Sequence, residues 1–259
     1  MTRLTPQDGI ALVTGAGSGL GRALALELAR QGFTVAAVGR RRSALEETQA
    51  QAPQGRVLIW PLDVADPAAV TRCVAEVTTD HGPVALLVNN AAVYPRRDIL
   101  DETAESFLHS VAVNLGGTVA CTRAVLDGMV ARGRGRILNV ATFADLQPLP
   151  ASAAYSVSKG AARIFTRALV ADLGDRFPGI VIGDWMPGML RTDMGIPDGL
   201  PPELSARWGV DLALRCDPDL NGAVFERDTE VLPPLGLKSR VKQALTGQRR
   251  RPRRLAPQA

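Results

Sequence analysis

Short, nearly continuous apolar runs alternate along this chain with longer segments in which apolar residues recur at helical spacing. The runs fall at 10–14, 33–38, 56–60, 84–88, 136–140 and 180–185, with one more near 223–232. Near-continuous β-branched and aliphatic character, rather than in–out alternation, is the pattern of parallel strands covered on both faces. Between the runs the spacing predicts helices over about 20–31, 43–51, 67–80, 103–131 and 153–174, with Pro67 near a helix start and Pro53 in a loop. Strand–helix alternation with right-handed crossovers predicts an α/β fold: a doubly wound parallel sheet forming a single domain over 1–232. From Pro233 onward Pro-Pro, scattered Lys and Arg, and the run Arg249–Arg254 predict a basic, flexible C-terminal tail over 233–259.

The first strand runs into Thr14-Gly15-Ala16-Gly17-Ser18-Gly19-Leu20-Gly21, and a helix opens at Arg22. A G-x-G-x-x-G pattern fails, because both frames end on Leu20 or Arg22; G-x-x-x-G-x-G fits, at Gly15, Gly19 and Gly21. Glycines let the backbone turn sharply and approach a pyrophosphate, whose charge meets free N–H groups at a helix N-terminus. A plain glycine-rich turn is the competing reading, and the position after the first strand of a βαβ pattern favours the nucleotide. A serine-hydrolase elbow at Ser18 is excluded, since residues 16 and 20 are Ala and Leu. After the second strand comes Val38-Gly39-Arg40-Arg41-Arg42, where a protein reading the free ribose of NAD places an acidic side chain. Guanidinium groups there pair with a 2′-phosphate, so Arg40 and Arg41 point to NADP(H), against the alternative of solvated arginines at a helix start.

Composition adds less. Hydrophobic residues make up 46% and charged residues 22%, ordinary for a globular chain with a full core. The net charge of +4 misleads, because eight basic residues and no acidic one lie from Lys238 to the end. Taking those eight from the total leaves residues 1–237 at −4, which is not a surface built to grip nucleic acid. Cys73, Cys121 and Cys216 are far apart and in no C-x-x-C spacing, so neither a disulfide framework nor a metal site is expected. No signal segment or membrane span is expected, which predicts a cytoplasmic protein with no membrane partner. His81 and His109 read as surface or structural residues. One basic residue stands out: Lys159 is the only lysine among the first 237 residues, arginine filling nearly every other basic position. It follows Tyr155 at i, i+4 on a predicted helix, so the two share a face. A compact ammonium beside a phenol favours its phenolate, correcting a pKa near 10 that would make tyrosine a poor acid–base at neutral pH.

With these residues in place the sequence resembles the short-chain dehydrogenase/reductase family over roughly residues 8–195. The glycine loop matches Thr14–Gly21, including Ser18 and Leu20. The family's adenine-side Asp matches Asp63, followed by Val64, and its Asn-Asn-Ala-Gly segment matches Asn89-Asn90-Ala91-Ala92, with alanine for the last glycine. Its helix asparagine, which supports a proton-relay water, matches Asn114; its Tyr-x-x-x-Lys pair matches Tyr155 and Lys159; its Pro-Gly turn matches Pro187-Gly188; and Thr192 falls where the family contacts the nicotinamide carboxamide. The family's serine, thirteen residues before the tyrosine, is here Thr142. No Asp-Gly-Gly follows the last strand, which puts the family's common tetramer in doubt.

The resemblance implies a Rossmann-like fold and hydride transfer between the nicotinamide of NADP(H) and a carbonyl or alcohol substrate, ketone or aldehyde reduction being the favoured direction. Tyr155 exchanges the proton, Lys159 tunes it and holds ribose, Thr142 orients the substrate oxygen, and Asn114 links to solvent. A redox-neutral isomerase or dehydratase, or a non-catalytic NADP(H)-binding protein of the same fold, are the alternatives. Tyr94, Leu146, Gln147, Leu149, Trp185, Met186, Met189 and Met194 are expected to wall an apolar substrate pocket. A homodimer through the helices at 103–131 and 153–174 is expected.

Overall fold

The apolar runs become strands β1 (Ile10–Thr14), β2 (Val35–Gly39), β3 (Val57–Pro61), β4 (Val84–Asn89), β5 (Gly135–Val140) and β6 (Ile180–Met186) in a computed structural model that describes residues 2–232 and 251–255. Helices α1 (Gly19–Arg30), α2 (Arg42–Ala50), α3 (Pro67–His81), α4 (Ala104–Val111), α5 (Gly117–Arg132), α6 (Ala153–Leu173) and α7 (Pro202–Leu214) follow in turn, and a short hairpin, β7 (Val224–Glu226) and β8 (Thr229–Val231), ends the described domain. Local chemistry sets several starts. Asp66 accepts from the N–H groups of Ala68 and Ala69 ahead of α3, and Thr103 accepts from Ser106 ahead of α4.

The eight strands form one sheet in the order β3-β2-β1-β4-β5-β6-β7-β8, parallel throughout except for the final β7–β8 pair. Each face of this Rossmann-like sheet is buried under helices. Leu24 and Leu28 of α1 and Val210 of α7 pack with Trp185 and Phe225 on one side; Val74 and Val77 of α3 and Val125 and Met129 of α5 pack with Ile137 and Ile182 on the other. The double cover explains why the strands read as continuous apolar runs.

Three details differ from the sequence reading. The helix expected over 103–131 contains a π-helical turn at Ala112–Gly116, which joins α4 to α5. Phe33 precedes β2, yet its ring is buried in the core, so burial rather than strand pairing explains its place in the apolar run. Helix α7 was not anticipated; it begins at Pro202, whose fixed φ suits a first helical position. Part of the expected tail has a defined place. Residues 251–255 lie along β8, where Glu230 N–H donates to the Arg253 carbonyl at 2.9 Å and Leu255 N–H to that of Asp228 at 2.8 Å. Arg253 pairs with Glu230 at 2.7 Å and Asp219 at 2.8 Å. The rest of that segment, 233–250 and 256–259, lies outside the described residues. Among the described residues no helix is long and apolar enough to cross a membrane.

Candidate active site

Neighbouring strands β1 and β4 mark the point where the strand order reverses, and a crevice opens there beyond their C-terminal ends. Its floor is the glycine loop. Gly15 has a φ of 67°, and a Cβ on it would lie 2.9 Å from the Ala91 Cα. A Cβ on Gly21 would lie 2.1 Å from the Gly15 carbonyl oxygen, so only glycine lets the first turn of α1 close onto the loop. Ser18 occupies the N-cap position without a capping side-chain bond and is exposed, which leaves the first N–H groups of α1 available. Leu20 turns the other way, into the core. Thr14 Oγ1 accepts from the N–H groups of Asn90 at 2.9 Å and Ala91 at 3.0 Å, while Asn90 Nδ2 donates to the Thr14 carbonyl at 2.9 Å. Asn90 thus ties β4 to the loop.

Gly17, Ser18, Arg40, Arg41, Ala44, Asp63, Val64 and Ala91 line the crevice together. Although no acid follows β2 in sequence, the turn after β3 brings the Asp63 carboxylate to 4.0 Å from Arg40, with 59% of the arginine side chain exposed. Arg41 makes no ion pair among the described residues. At the opposite end Thr192 comes down on the loop, its Cγ2 lying 3.2 Å from the point where a Gly19 side chain would begin. Pro187 and Gly188 form the turn after β6, held by Ser205 Oγ donating to the Pro187 carbonyl at 2.9 Å. A floor with no room for side chains, free helix N–H groups and arginines at one end fit a nicotinamide dinucleotide.

The second cluster sits at the C-terminal end of β5. Tyr155 and Lys159 share one face of α6, and Lys159 Nζ donates to the Val140 carbonyl at 2.7 Å. Lys159 is only 5% exposed, and this burial lowers its pKa to about 8, with Asp184 pulling it back up. Burial also pushes the Tyr155 phenol above its ordinary value, while the nearby Thr142 hydroxyl pulls it down. The ring of Tyr94 stacks on that of Tyr155, centroids 4.4 Å apart, and the Arg96 guanidinium lies over Tyr94. Arg96 in turn donates to the carbonyls of Met194 and Gly195 at 3.1 and 2.8 Å, linking the loops on the two sides of the cleft.

Asn114 is presented inward by the π turn, a distortion that recurs at functional sites. Its Oδ1 accepts from Val93 N–H at 2.7 Å, and its Nδ2 donates to the Val93 carbonyl at 3.0 Å and to Ser158 Oγ at 2.9 Å. Both amide protons are therefore spent on protein, and the side chain fixes the loop after β4 that carries Tyr94. Leu146, Leu149, Met189 and Met194 are exposed on loops. Trp185 is not a pocket wall: it is fully buried in the core and its Nε1 donates to the Arg227 carbonyl at 3.1 Å. Met186 is likewise buried.

Several residues of the site escaped the sequence reading. Arg22 and Thr48 brace the glycine loop from behind, through bonds to the Gly17 carbonyl at 2.6 Å and the Ala16 carbonyl at 2.9 Å. Asp145 and Arg163 pair at 2.8 Å, both largely buried, and pin the loop after β5 to α6. Asp184 is buried beneath that helix. The available signal was a carboxylate inside an otherwise apolar strand, beside cations repeating every four residues at Lys159, Arg163 and Arg167. His81 and His109 are exposed, and the described residues contain no cluster of potential metal ligands. All three cysteines are buried, with Cys73 and Cys121 pushed up to about 12, chiefly by burial.

Comparison with known proteins adds a family. The short chain dehydrogenase family profile matches residues 9–199. Over 190 residues the chain is 36% identical to the Probable oxidoreductase EphD of Mycobacterium tuberculosis, covering 72% of this chain but only 32% of that protein. It is 35% identical over 207 residues to the short-chain reductase protein NovJ of Streptomyces niveus, covering 79% of this chain and 76% of that one. A crystal structure of a short chain dehydrogenase from Bacillus anthracis superposes with a TM-score of 0.81 over 87% of this chain and 96% of that one, at 22% identity, a likeness of fold.

Proposed function

Since the chain belongs to the short chain dehydrogenase family, whose members use a nicotinamide cofactor, we propose that it is an NADP(H)-dependent oxidoreductase reducing a ketone or aldehyde. The observation that carries this reading is the meeting of Tyr155, Lys159 and Thr142 at the end of β5, beside a crevice whose floor excludes side chains. Gly15, Ser18, Gly19, Leu20 and Gly21 would form the pyrophosphate turn, and Arg40 and Arg41 would take the 2′-phosphate. Asp63, Val64, Asn90 and Ala91 would shape the adenosine side; Pro187, Gly188, Thr192 and Lys159 the nicotinamide side. When bound there, a nicotinamide would supply hydride chemistry at a carbonyl carbon. Thr142 holds the substrate oxygen toward Tyr155. Tyr155 then gives that oxygen its proton, and Lys159 stabilises the phenolate left behind. Tyr94, stacked on Tyr155, would close one side of the pocket.

NADPH and NADH oxidation, followed over a panel of ketones, aldehydes, quinones and 3-oxoacyl thioesters, tests the reading. Consumption of NADPH in preference to NADH supports it; turnover of a substrate with no change in cofactor overturns it in favour of redox-neutral chemistry. We also infer a homodimer through α4, α5 and α6, whose outward residues Leu108, Val157 and Ile164 are 63%, 55% and 59% exposed in the single chain. Light scattering on Ile164→Arg should then show a monomer, and a wild-type monomer would refute the pairing.

A further inference from the structure

Asp184 interrupts the apolar run of β6 and is 3% exposed, yet the chemistry above gives it no task. In register it lies beside Asn139 of β5, the residue before Val140, whose carbonyl holds Lys159. Thr166, two turns beyond Lys159 on α6, donates to Asp184 Oδ1 at 2.6 Å and accepts from Asn139 Nδ2 at 2.9 Å. Asn139 Oδ1 accepts from Asn89 Nδ2 at 2.8 Å, and that amide also donates to Thr122 at 3.1 Å. Neutral side chains from four elements thus form one chain of hydrogen bonds that ends on a single carboxylate. They fix its position without neutralising it.

The charges acting on Asp184 are those of Lys159, Arg163 and Arg167 from α6 and Arg136 from β5. Arg163 is already bound by both oxygens of Asp145, at 3.0 and 2.8 Å. Arg167 is exposed, and Arg136 donates to the carbonyls of Ile137 and Val181. Lys159 and Arg136 are thus the buried cations whose bonds go to neutral carbonyls, and Lys159 is the one that shares a face of α6 with Tyr155. A cation removed from water loses its proton unless a negative charge is nearby.

We propose that Asp184 is a positioning residue of the active site, which keeps the buried Lys159 ammonium charged from the strand beneath α6 so that it can serve Tyr155. Burial raises the Asp184 carboxyl to about 6 and lowers Lys159 to about 8, each group drawing the other back toward its charged form. Both are charged between these values. As pH falls through about 6, Asp184 takes up a proton and Lys159 loses its counter-charge; above about 8, Lys159 itself is neutral. This inference rests on the reading that Lys159 acts on Tyr155, but its test needs no turnover.

The chain contains three lysines, Lys159, Lys238 and Lys242, so lysine labelled with ¹³C at the ε position yields few resonances in the full-length protein. Loss of one signal in Lys159→Arg identifies it. In the wild type that signal should titrate near pH 8, and in Asp184→Asn its midpoint should fall by about one pH unit or more, the other two lysines staying put. An unmoved midpoint in a folded Asp184→Asn protein overturns the proposal. Should that variant fail to fold, the wild-type curve decides: Lys159 must show a second inflection near pH 6, and a single-step curve overturns the proposal.

Discussion

The glycine-loop crevice and the corner around Tyr155 and Lys159 are built in opposite ways. The crevice is made of backbone and of absent side chains: Gly15 and Gly21 leave no space for a Cβ, and the cations at its far end, Arg40 and Arg41, are exposed. The corner is made of side chains drawn from α6, β5, β6 and the π turn, and its charges, Lys159 and Asp184, are 5% and 3% exposed. Exposed charges are screened by solvent and act weakly one at a time, which suits recognition of a ligand carrying several phosphates. Buried charges cost desolvation but act strongly across a few ångströms, which suits control of a proton. The two regions therefore differ in how much one side chain should matter.

The largest effects belong in the corner. Tyr155→Phe is expected to lower turnover by about 10²–10⁴ while leaving NADPH affinity, read by fluorescence titration, unchanged. Lys159→Arg should fall nearly as far, because a planar fork cannot reproduce the ammonium's single bond to the Val140 carbonyl. Equal losses of turnover and cofactor affinity in Tyr155→Phe would erase the distinction between the regions. Thr142 sharpens it: Thr142→Ser should keep activity, and Thr142→Val should lose about 10²-fold in kcat, the lower end for a lost oxyanion donor because Tyr155 bonds the same oxygen. An undiminished rate in Thr142→Val would mean that the residue only packs.

In the crevice the expected losses are smaller and graded. Replacing both Arg40 and Arg41 by Ala should weaken NADPH binding by about 10- to 100-fold and NADH hardly at all. Charge-assisted bonds contribute about 1.5–3 kcal/mol each, and exposure reduces that here. Isothermal titration with both cofactors checks it; parallel losses would show that the arginines do not read the 2′-phosphate. The mildest effect on chemistry should come from Asp145→Asn, which loosens the loop after β5 by removing one partner of a largely buried ion pair. A stability loss of about 1–3 kcal/mol by chemical denaturation is expected, with the transition remaining cooperative. No loss would place that pair among the inert surface bridges.

How much of this was legible in the chain follows the same division. The crevice is local in sequence: the glycines lie within one turn, and Arg40 and Arg41 directly follow β2. Residue type and spacing were enough to assemble it, except that Asp63 reached Arg40 from the end of the neighbouring strand β3. Tyr155 and Lys159 were legible for the same reason, being one helical turn apart. Trp185 was misplaced because a strand reads the same whether its aromatic side chain faces a pocket or a core, and here α7, which the pattern did not announce, covers it.

The alternation of apolar runs and helical segments determined by itself the sheet, its double cover and the turn that opens the first helix, because each depends on near neighbours in the chain. Only the tertiary structure decided that Asn114 spends its amide on Val93, that Tyr94 lies on Tyr155, and that the charge of Asp184 acts on Lys159. Those relations join residues 21 to 61 positions apart. Coulomb and hydrogen-bond energies depend on distance and burial in space, and separation along the chain carries neither.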